Sequence, residues 1–407
     1  MDNTVCTQKK RPISKNRFKT MDLFVVMCGL SAPIGEKMNV YFPLFSKLYV
    51  ICGMILSLFY FTNQMLNTGN TYSRKENRIG ILYVFFGIFV FIHSLVTYIL
   101  YLNTYMEKEF FSVFKTVIFI FIAYILFKVF RDNRRRIKNF LIAFNGSFSI
   151  LFLFFNTFIF ANTVSRAEGV YEDANAFAFD AVFVIFASMY LLNENKKGKL
   201  LNIITLFVGI VALFLSGSRG AFIGVLVGLM VYFVTLKGMN KKLKAISLIG
   251  LIAIIIVFLT PKKYLVNMIN RYLHGDSDES GYLNNVRLQI WVYYLIAIEE
   301  YFWVGLDTEL WNLINRRITH NNYLYVFVKY GFIAFMAYMG MVISNIKFGI
   351  LSVNKRSQAD KIIFALVIAY LVACLFIDTL NFKTTWVVWI LFLKFNNLYK
   401  AEMIERT

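Results

Sequence analysis

Cysteine is scarce in this sequence, and its few copies do not pair. Cys6, Cys28, Cys52 and Cys374 form no CxxC motif, and three of them fall in apolar runs. A disulfide framework and a cysteine-built zinc site are therefore not indicated. Histidine is scarcer still, limited to His93, His274 and His320. No Walker A sequence and no GxSxG elbow occur, which removes two common enzyme readings. The first 20 residues are polar and hold no apolar core, so no cleavable leader is expected. Acidic side chains number 23 against 43 Lys and Arg, giving a net charge of +20. In a soluble protein that balance would suggest nucleic acid. Here the cations cluster in short loops between apolar runs, as membrane anchors do, and a nucleic-acid partner is set aside.

What the sequence has in quantity is apolar surface. Hydrophobic residues make up 58% of the 407 positions, with 44 Phe among them. The mean hydropathy is +0.61. Soluble domains sit nearer about 45–50% apolar. A membrane-crossing helix needs roughly 20 apolar residues, and the sequence predicts about twelve such spans. They are 22–35, 44–62, 79–102, 111–130, 139–160, 175–192, 200–217, 220–236, 245–260, 322–346, 362–377 and 384–397. The expected fold class is an all-α polytopic membrane protein. No Gly/Ser linker or repeat divides it, so residues 1–407 read as a single integral membrane domain.

Loop charge tests that count. With the N-terminus inside, Lys and Arg number six in 1–21, three in 63–78, six in 128–138 and three in 193–199. Four more lie in 237–244, four in 347–361 and three from Lys394 onward, which makes 29 of the 43. The bias alternates at every loop, as the positive-inside rule requires. Both termini are then cytoplasmic. One large extracytoplasmic loop, 261–320, lies between spans nine and ten. The turn Ser216–Gly220 and the loops 161–174 and 378–383 fall on the same outer side.

Arg219, in LSGSRGAF (215–222), stands out. An arginine at the bilayer centre costs about 2.5–3.5 kcal/mol on insertion scales. Flanking glycines permit an unwound turn, helix ends there offer N–H groups to an anion, and Ser216 and Ser218 add hydroxyl donors. On the residues alone two readings stand: a phosphate or carboxylate site, or a tight turn with a snorkelling Arg. It is also open whether Gly217 and Gly220 separate two spans or bend one.

Three other stretches carry polar chemistry on the outer side. Residues 283–299 place Arg287, Trp291, Tyr294 and Ile298 on one helical face, which suits a helix at the membrane interface. His320 stands in ITHNNYL beside Asn321, where an imidazole can accept a proton. His93 is mid-span and reads as a packing residue. The loop SRAEGVYEDANAF (165–177) offers Arg166, Glu168, Glu172, Asp173 and Asn175, and Asp173 is placed to cap the following helix. The DSD of 276–278 reads as solvated loop rather than a metal site. Asp180 and Asp378 are the acidic groups that a proton path would draw on.

The order of these pieces resembles the bacterial O-antigen polymerase and O-antigen ligase superfamily of membrane glycosyltransferases. The matching stretches are SGSRGA (216–221), RLQIW (287–291), YFWVGL (301–306) and HNNYLYVFVKYGFIAF (320–335), with EDANAF (172–177) resembling an upstream D-P-N box. The resemblance covers roughly 165–340. It departs at Trp303, where that family usually has proline, at Ala174, which replaces the proline of the D-P-N box, and at Lys329 and Tyr330, which precede Gly331 where Glu-Gly is common.

That resemblance implies a GT-C-like fold and a donor glycan on undecaprenyl diphosphate. Arg219 and Arg287 are expected to bind the diphosphate, and His320 to act as general base on the acceptor hydroxyl. Ser218, Arg166, Asp173, Asn175 and Asn321 are candidate supporting residues. No metal and no cofactor is called for, since guanidinium groups can stabilise the leaving diphosphate. The expected activity is polymerisation of lipid-linked repeat units of a surface polysaccharide, O-antigen or capsule, at the outer face of the bacterial cytoplasmic membrane. The alternatives are a ligase that passes the finished glycan to lipid A–core or another acceptor, and, from another class, a lipid-linked oligosaccharide flippase. Membrane lipids and the lipid-linked donor and acceptor are the expected partners, with a chain-length regulator left open.

Overall fold

In the computed structural model the described residues are 15–35, 38, 43–66, 77–101, 104–130, 134–159, 167–194, 198–236, 290–305, 320–352 and 357–391, apart from 168, 170, 172, 293, 297, 300, 378 and 390. Among them all regular structure is helical. The helices are α1 (Lys15–Ser31), α2 (Pro43–Leu66), α3 (Asn77–Tyr101), α4 (Thr104–Val129) and α5 (Arg134–Ile159). Then come α6 (Ala174–Glu194), α7 (Lys199–Ser216), α8 (Arg219–Thr235), α9 (Asn322–Ser352) and α10 (Gln358–Ala373). Residues 383–389 are helical as well.

Each predicted span from 22–35 to 220–236, and those at 322–346 and 362–377, meets a helix. Six helices are long and apolar enough to cross a membrane: Ile81–Leu100, Phe110–Val129, Arg134–Phe154, Ala174–Glu194, Lys199–Ser216 and Asn322–Lys347. Thr20–Ser31, Lys47–Thr62 and Arg219–Thr235 are shorter apolar helices. The expected ninth span, 245–260, lies outside the described residues, as does the end of 384–397. α10 begins four residues before the hydropathy does. The Ser357 side chain accepts from Asp360 N at 3.2 Å and so caps an earlier first turn.

Two helices form the centre. α6 is buried from Ala176 to Ser188 without a break, and α10 is buried over nearly all its length. A helix apolar on every side belongs in an interior. They are joined by the Tyr370 hydroxyl, which donates to Phe179 O at 2.8 Å, and by the edge-on contact of those two rings. By contrast α3 turns Ile81, Ile88, Ile92, Val96 and Ile99 outward, and α7 turns out Leu200, Leu201, Ile203 and Ile204. Such continuous exposed apolar bands are the surface a lipid solvent demands.

Contacts fix the direction of each helix. On α6 and α7, Ser188 bonds Thr205 and a Cβ at Gly209 would meet Val184 and Ile185, so these two run antiparallel. On α8, Ser218 meets Asn175 and Gly228 meets Phe186, so α8 runs parallel to α6. The chain therefore reverses between α7 and α8. Gly217 makes the reversal in the left-handed region, at φ 60 and ψ 20, and Ser218 follows in an extended conformation. The open choice at Gly217–Gly220 is settled in favour of two helices rather than one bent one.

The tightest packing is α8 on α10. Gly220, Gly224 and Gly228 recur every fourth residue and face Ala365, Ala369, Ala373 and Phe376. A Cβ on Gly224 would stand 2.5 Å from the Ala369 carbonyl oxygen, and one on Gly228 would stand 2.8 Å from that of Ala365. Small residues at this spacing let helix backbones approach closely where no hydrophobic effect drives them together. Lys361 Nζ closes the far end of the pair by donating to Thr235 O at 2.6 Å. Gly224→Val is expected to lower stability by about 1–3 kcal/mol through overpacking, read as a fall in melting temperature in detergent. Gly146→Ala, where nothing lies within 4 Å of the added Cβ, should be neutral or stabilising by about 1 kcal/mol at most.

Candidate active site at one end of the bundle

Arg219 is the first residue of α8 and is half-buried. Ser218 holds the N-cap position, yet its side chain makes no cap bond. Its hydroxyl donates instead to Asn175 Oδ1 at 2.9 Å. Ser216, wholly buried, donates to Leu213 O at 2.6 Å and accepts from Ser218 N at 3.2 Å. Both hydroxyls that the sequence offered to an anion are thus directed at protein oxygens. The first backbone N–H groups of α8 keep no side-chain cap. Among the described residues no carboxylate pairs with the Arg219 guanidinium.

The acidic loop box is brought to the same turn. Asp173 Oδ1 accepts from Asn175 N at 2.9 Å and from Asn175 Nδ2 at 3.1 Å, so Asp173 caps α6 as its position suggested. The amide then passes the connection on through its oxygen to Ser218. Ala167 N donates to Leu215 O at 2.9 Å and ties the incoming loop to the end of α7. Arg166, Glu168 and Glu172 lie outside the described residues.

His320 precedes α9 and is half-buried, with φ at 49. The left-handed region costs a non-glycine residue roughly 1–2 kcal/mol, and such residues persist only where their surroundings over-determine them. Here the next two residues do so. Asn321 Oδ1 caps α9, accepting from Tyr323 N and Leu324 N at 3.1 Å each. Asn322 is fully buried. Its N–H donates to Cys374 O at 2.9 Å, its Nδ2 donates to the Tyr338 hydroxyl at 2.5 Å, and its Oδ1 accepts from Thr379 N at 3.1 Å. The start of α9 is thereby fastened to the C-terminal turn of α10. A Cβ at Gly220, beside Arg219, would meet Phe376 of that same turn. Arg219, Asn175, Asp173, His320 and Asn321 therefore share one end of the bundle.

Arg287 lies outside the described residues. In the helix that follows it the buried stripe is Ile290, Tyr294 and Ile298, packed with Val328, Leu324 and Phe327 of α9. Trp291, expected on that stripe, is only half-buried. The YFWVGL turn ends at Gly305, whose backbone rests against Gly331 inside α9.

Sequence reasoning missed Asn322, treating the HNN run as a histidine with polar neighbours. Its signal was position: a second Asn inside the first turn has no cap left to make. The sequence also held Asp180 open as a proton-path group. It is buried and accepts from the Tyr171 hydroxyl and from Thr384 Oγ1, the latter at 2.6 Å. The Tyr171 oxygen also lies 3.0 Å from Pro33 O, and Lys383 Nζ donates to Ile34 O at 2.7 Å. This layer knits the loop before α6, the end of α1 and the C-terminal helical stretch beneath the site.

Residues 204–339 match the family model described as O-antigen ligase. That segment places the chain's resemblance in the O-antigen polymerase and ligase superfamily. The match takes in the reversal at Gly217–Ser218, Arg219, His320 and the first part of α9. An uncharacterized protein of Haemophilus influenzae is 28% identical over 222 residues, 48% of this chain and 55% of that protein. The matched region thus spans about half the length of that relative.

Two outcomes test the local geometry of this O-antigen ligase-like segment. His320→Gly relieves the left-handed backbone and should leave the melting temperature unchanged or raised, by up to about 1–2 kcal/mol of stability. Asn322→Ala strands two buried partners, the Tyr338 hydroxyl and the Thr379 N–H, and should cost about 1–3 kcal/mol, seen as a lower melting temperature in the same detergent.

Proposed function

We propose that the protein is a metal-independent, inverting membrane glycosyltransferase. It polymerises undecaprenyl-diphosphate-linked oligosaccharide units of a surface polysaccharide on the outer side of the cytoplasmic membrane. One observation carries this reading. Within the segment matched by the O-antigen ligase family, an arginine at a helix N-terminus and a conformationally restrained histidine stand at the same end of the bundle.

The chemistry follows from those two groups. His320 accepts the proton of the acceptor sugar hydroxyl as its oxygen attacks the anomeric carbon. The bond from that carbon to the diphosphate oxygen breaks with inversion. Negative charge grows on the leaving diphosphate, where the Arg219 fork and the α8 N–H groups stabilise it. Arg287 completes the clamp. A diphosphate is a good leaving group, so the reaction needs little from a general acid.

The topology of twelve spans with both termini inside fits the directions of the helices. Leu236 and His320 lie at opposite ends of the bundle, since Thr235 meets Lys361 at the start of α10 and Asn322 meets Cys374 at its end. An odd number of crossings between them, supplied by the span expected at 245–260, satisfies this.

A ligase is the second reading, favoured by the description of the matched family. The flippase reading calls for paired charges deep in the spans. The described ion pairs, Arg136 with Asp22 and Glu194 with Arg134 and Lys138, sit instead at the end away from His320.

The test is genetic. In a deletion strain restored with His320→Ala or Arg219→Ala at normal expression, long polysaccharide chains should disappear. Single repeats still joined to the surface acceptor mark a polymerase, whereas long lipid-linked chains that never reach the acceptor mark a ligase. Persistence of long chains with either variant defeats the assignment. Arg219→Lys keeps the charge and loses the fork, so its polymer yield should fall well below wild type.

A further inference from the structure

The stretch 290–305 has an exposed face as apolar as its buried one. Leu295 is 57% exposed, Ile296 62%, Trp303 63% and Val304 61%, and Val292 joins them. The opposite face, Ile290, Tyr294, Ile298 and Phe302, is packed on α9. In a loop bathed by water such a band would be anomalous.

The depth of the stretch explains it. Gly305 and Gly331 touch back to back, both at positive φ, 83 and 75. A Cβ on either would stand 2.3 Å from a backbone oxygen, of Lys329 for Gly305 and of Trp303 for Gly331. Gly331 is nine residues into α9, about 13 Å from its start at 1.5 Å per residue. His93 gives an independent measure. Its ring meets Val304 O at 2.7 Å from within the apolar span Ile81–Leu100. It lies seven residues from Leu100, about 10 Å below that end of the span. Half of a hydrocarbon core is about 15 Å. The turn at 302–305 is therefore well inside one leaflet, while His320, fifteen residues later, is back at the end of the bundle.

The backbone at that depth is also paired, as non-helical chain must be in lipid. Val304 O accepts from His93 Nε2. Phe302 O accepts from Phe332 N at 2.8 Å, a donor freed by the break of α9 at Gly331. Gly305 N donates to Tyr301 O at 2.9 Å. Tyr330 sits edge-on to His93, and Phe332 stacks on Phe302, closing the joint with rings.

We propose that residues 290–305 form a re-entrant segment immersed in the leaflet on the His320 side, and that its exposed apolar face meets lipid acyl chains. That face continues the outward bands of α3 (Ile88, Ile92, Val96) and α9 (Ile333, Met336). The segment expected to lie at the interface is instead driven into the bilayer by the Gly305–Gly331 contact. The proposal rests on the membrane reading and is independent of glycosyl transfer.

Site-directed spin labelling tests it. In the full chain with Cys6→Ser, the three remaining cysteines are buried. Single substitutions Leu295→Cys, Ile296→Cys and Val304→Cys are labelled with a nitroxide and reconstituted into phosphatidylcholine vesicles. Ile88→Cys on α3 and Asn193→Cys at the far end serve as lipid-facing and water-facing references. Melting temperatures matching the unlabelled parent certify the fold. Collisions with oxygen should exceed those with a nickel chelate several-fold at all three sites, as at Ile88. The oxygen-to-nickel ratio should rise from 295 to 304. Nickel access like that at Asn193 would overturn the proposal in favour of an aqueous loop. Low access to both reagents would overturn it in favour of cover by a second copy or another protein.

Discussion

The arrangement depends on how closely α8 approaches α10. In a bilayer, helices gain nothing from leaving water, because lipid is as apolar as leucine. Association must come from contact, and contact is densest where side chains are small. Three glycines on α8 and the alanines at 365, 369 and 373 on α10 meet this condition over the full pair. Everything at the candidate site hangs from that joint. It fixes Arg219 at the top of α8 beside the last turn of α10, and that turn supplies the carbonyl that receives Asn322.

The site itself is mostly scaffolding turned inward. Of the polar residues gathered around Arg219, Ser216, Ser218, Asp173 and Asn175 are occupied with one another or with the backbone. Asn321 and Asn322 likewise cap and anchor α9. This division suits a polar end of a membrane protein. Buried polar groups there must be satisfied to be tolerated, and satisfied groups hold the remaining ones in place. The strained backbone of His320 is of the kind that concentrates where geometry matters more than stability.

On the reading proposed above, the stretch 290–305 is a membrane element rather than an aqueous loop. Its glycine at 305 does the opposite of what loop glycines usually do. It removes a side chain so that the loop backbone can lock into a gap in α9, where Gly331 interrupts the helix. The Trp303 and Lys329–Tyr330 departures from the family pattern fall at this joint. Lys329 is enclosed there by Tyr325 and Tyr330, donating to the Tyr325 hydroxyl at 2.9 Å.

Hydropathy was enough to determine that this chain is helical and apolar, with several helices long enough to cross a membrane. Those are properties of composition and spacing, which a helix in lipid expresses almost without regard to its neighbours. The Asp173 cap was legible for the same reason, since capping is decided within four residues. Tertiary structure alone decided that the chain reverses at Gly217–Ser218. Glycine permits both a bend and a turn, and only the contacts of α8 with α6 and α10 choose between them. It also decided that Asn322 rather than Asn321 ties the two helix ends together, and that Gly305 seats in α9. Each of these depends on partners far away in sequence, from 24 residues (Gly305 to Lys329) to 156 (Gly220 to Phe376), a distance over which spacing along the chain carries no geometric information.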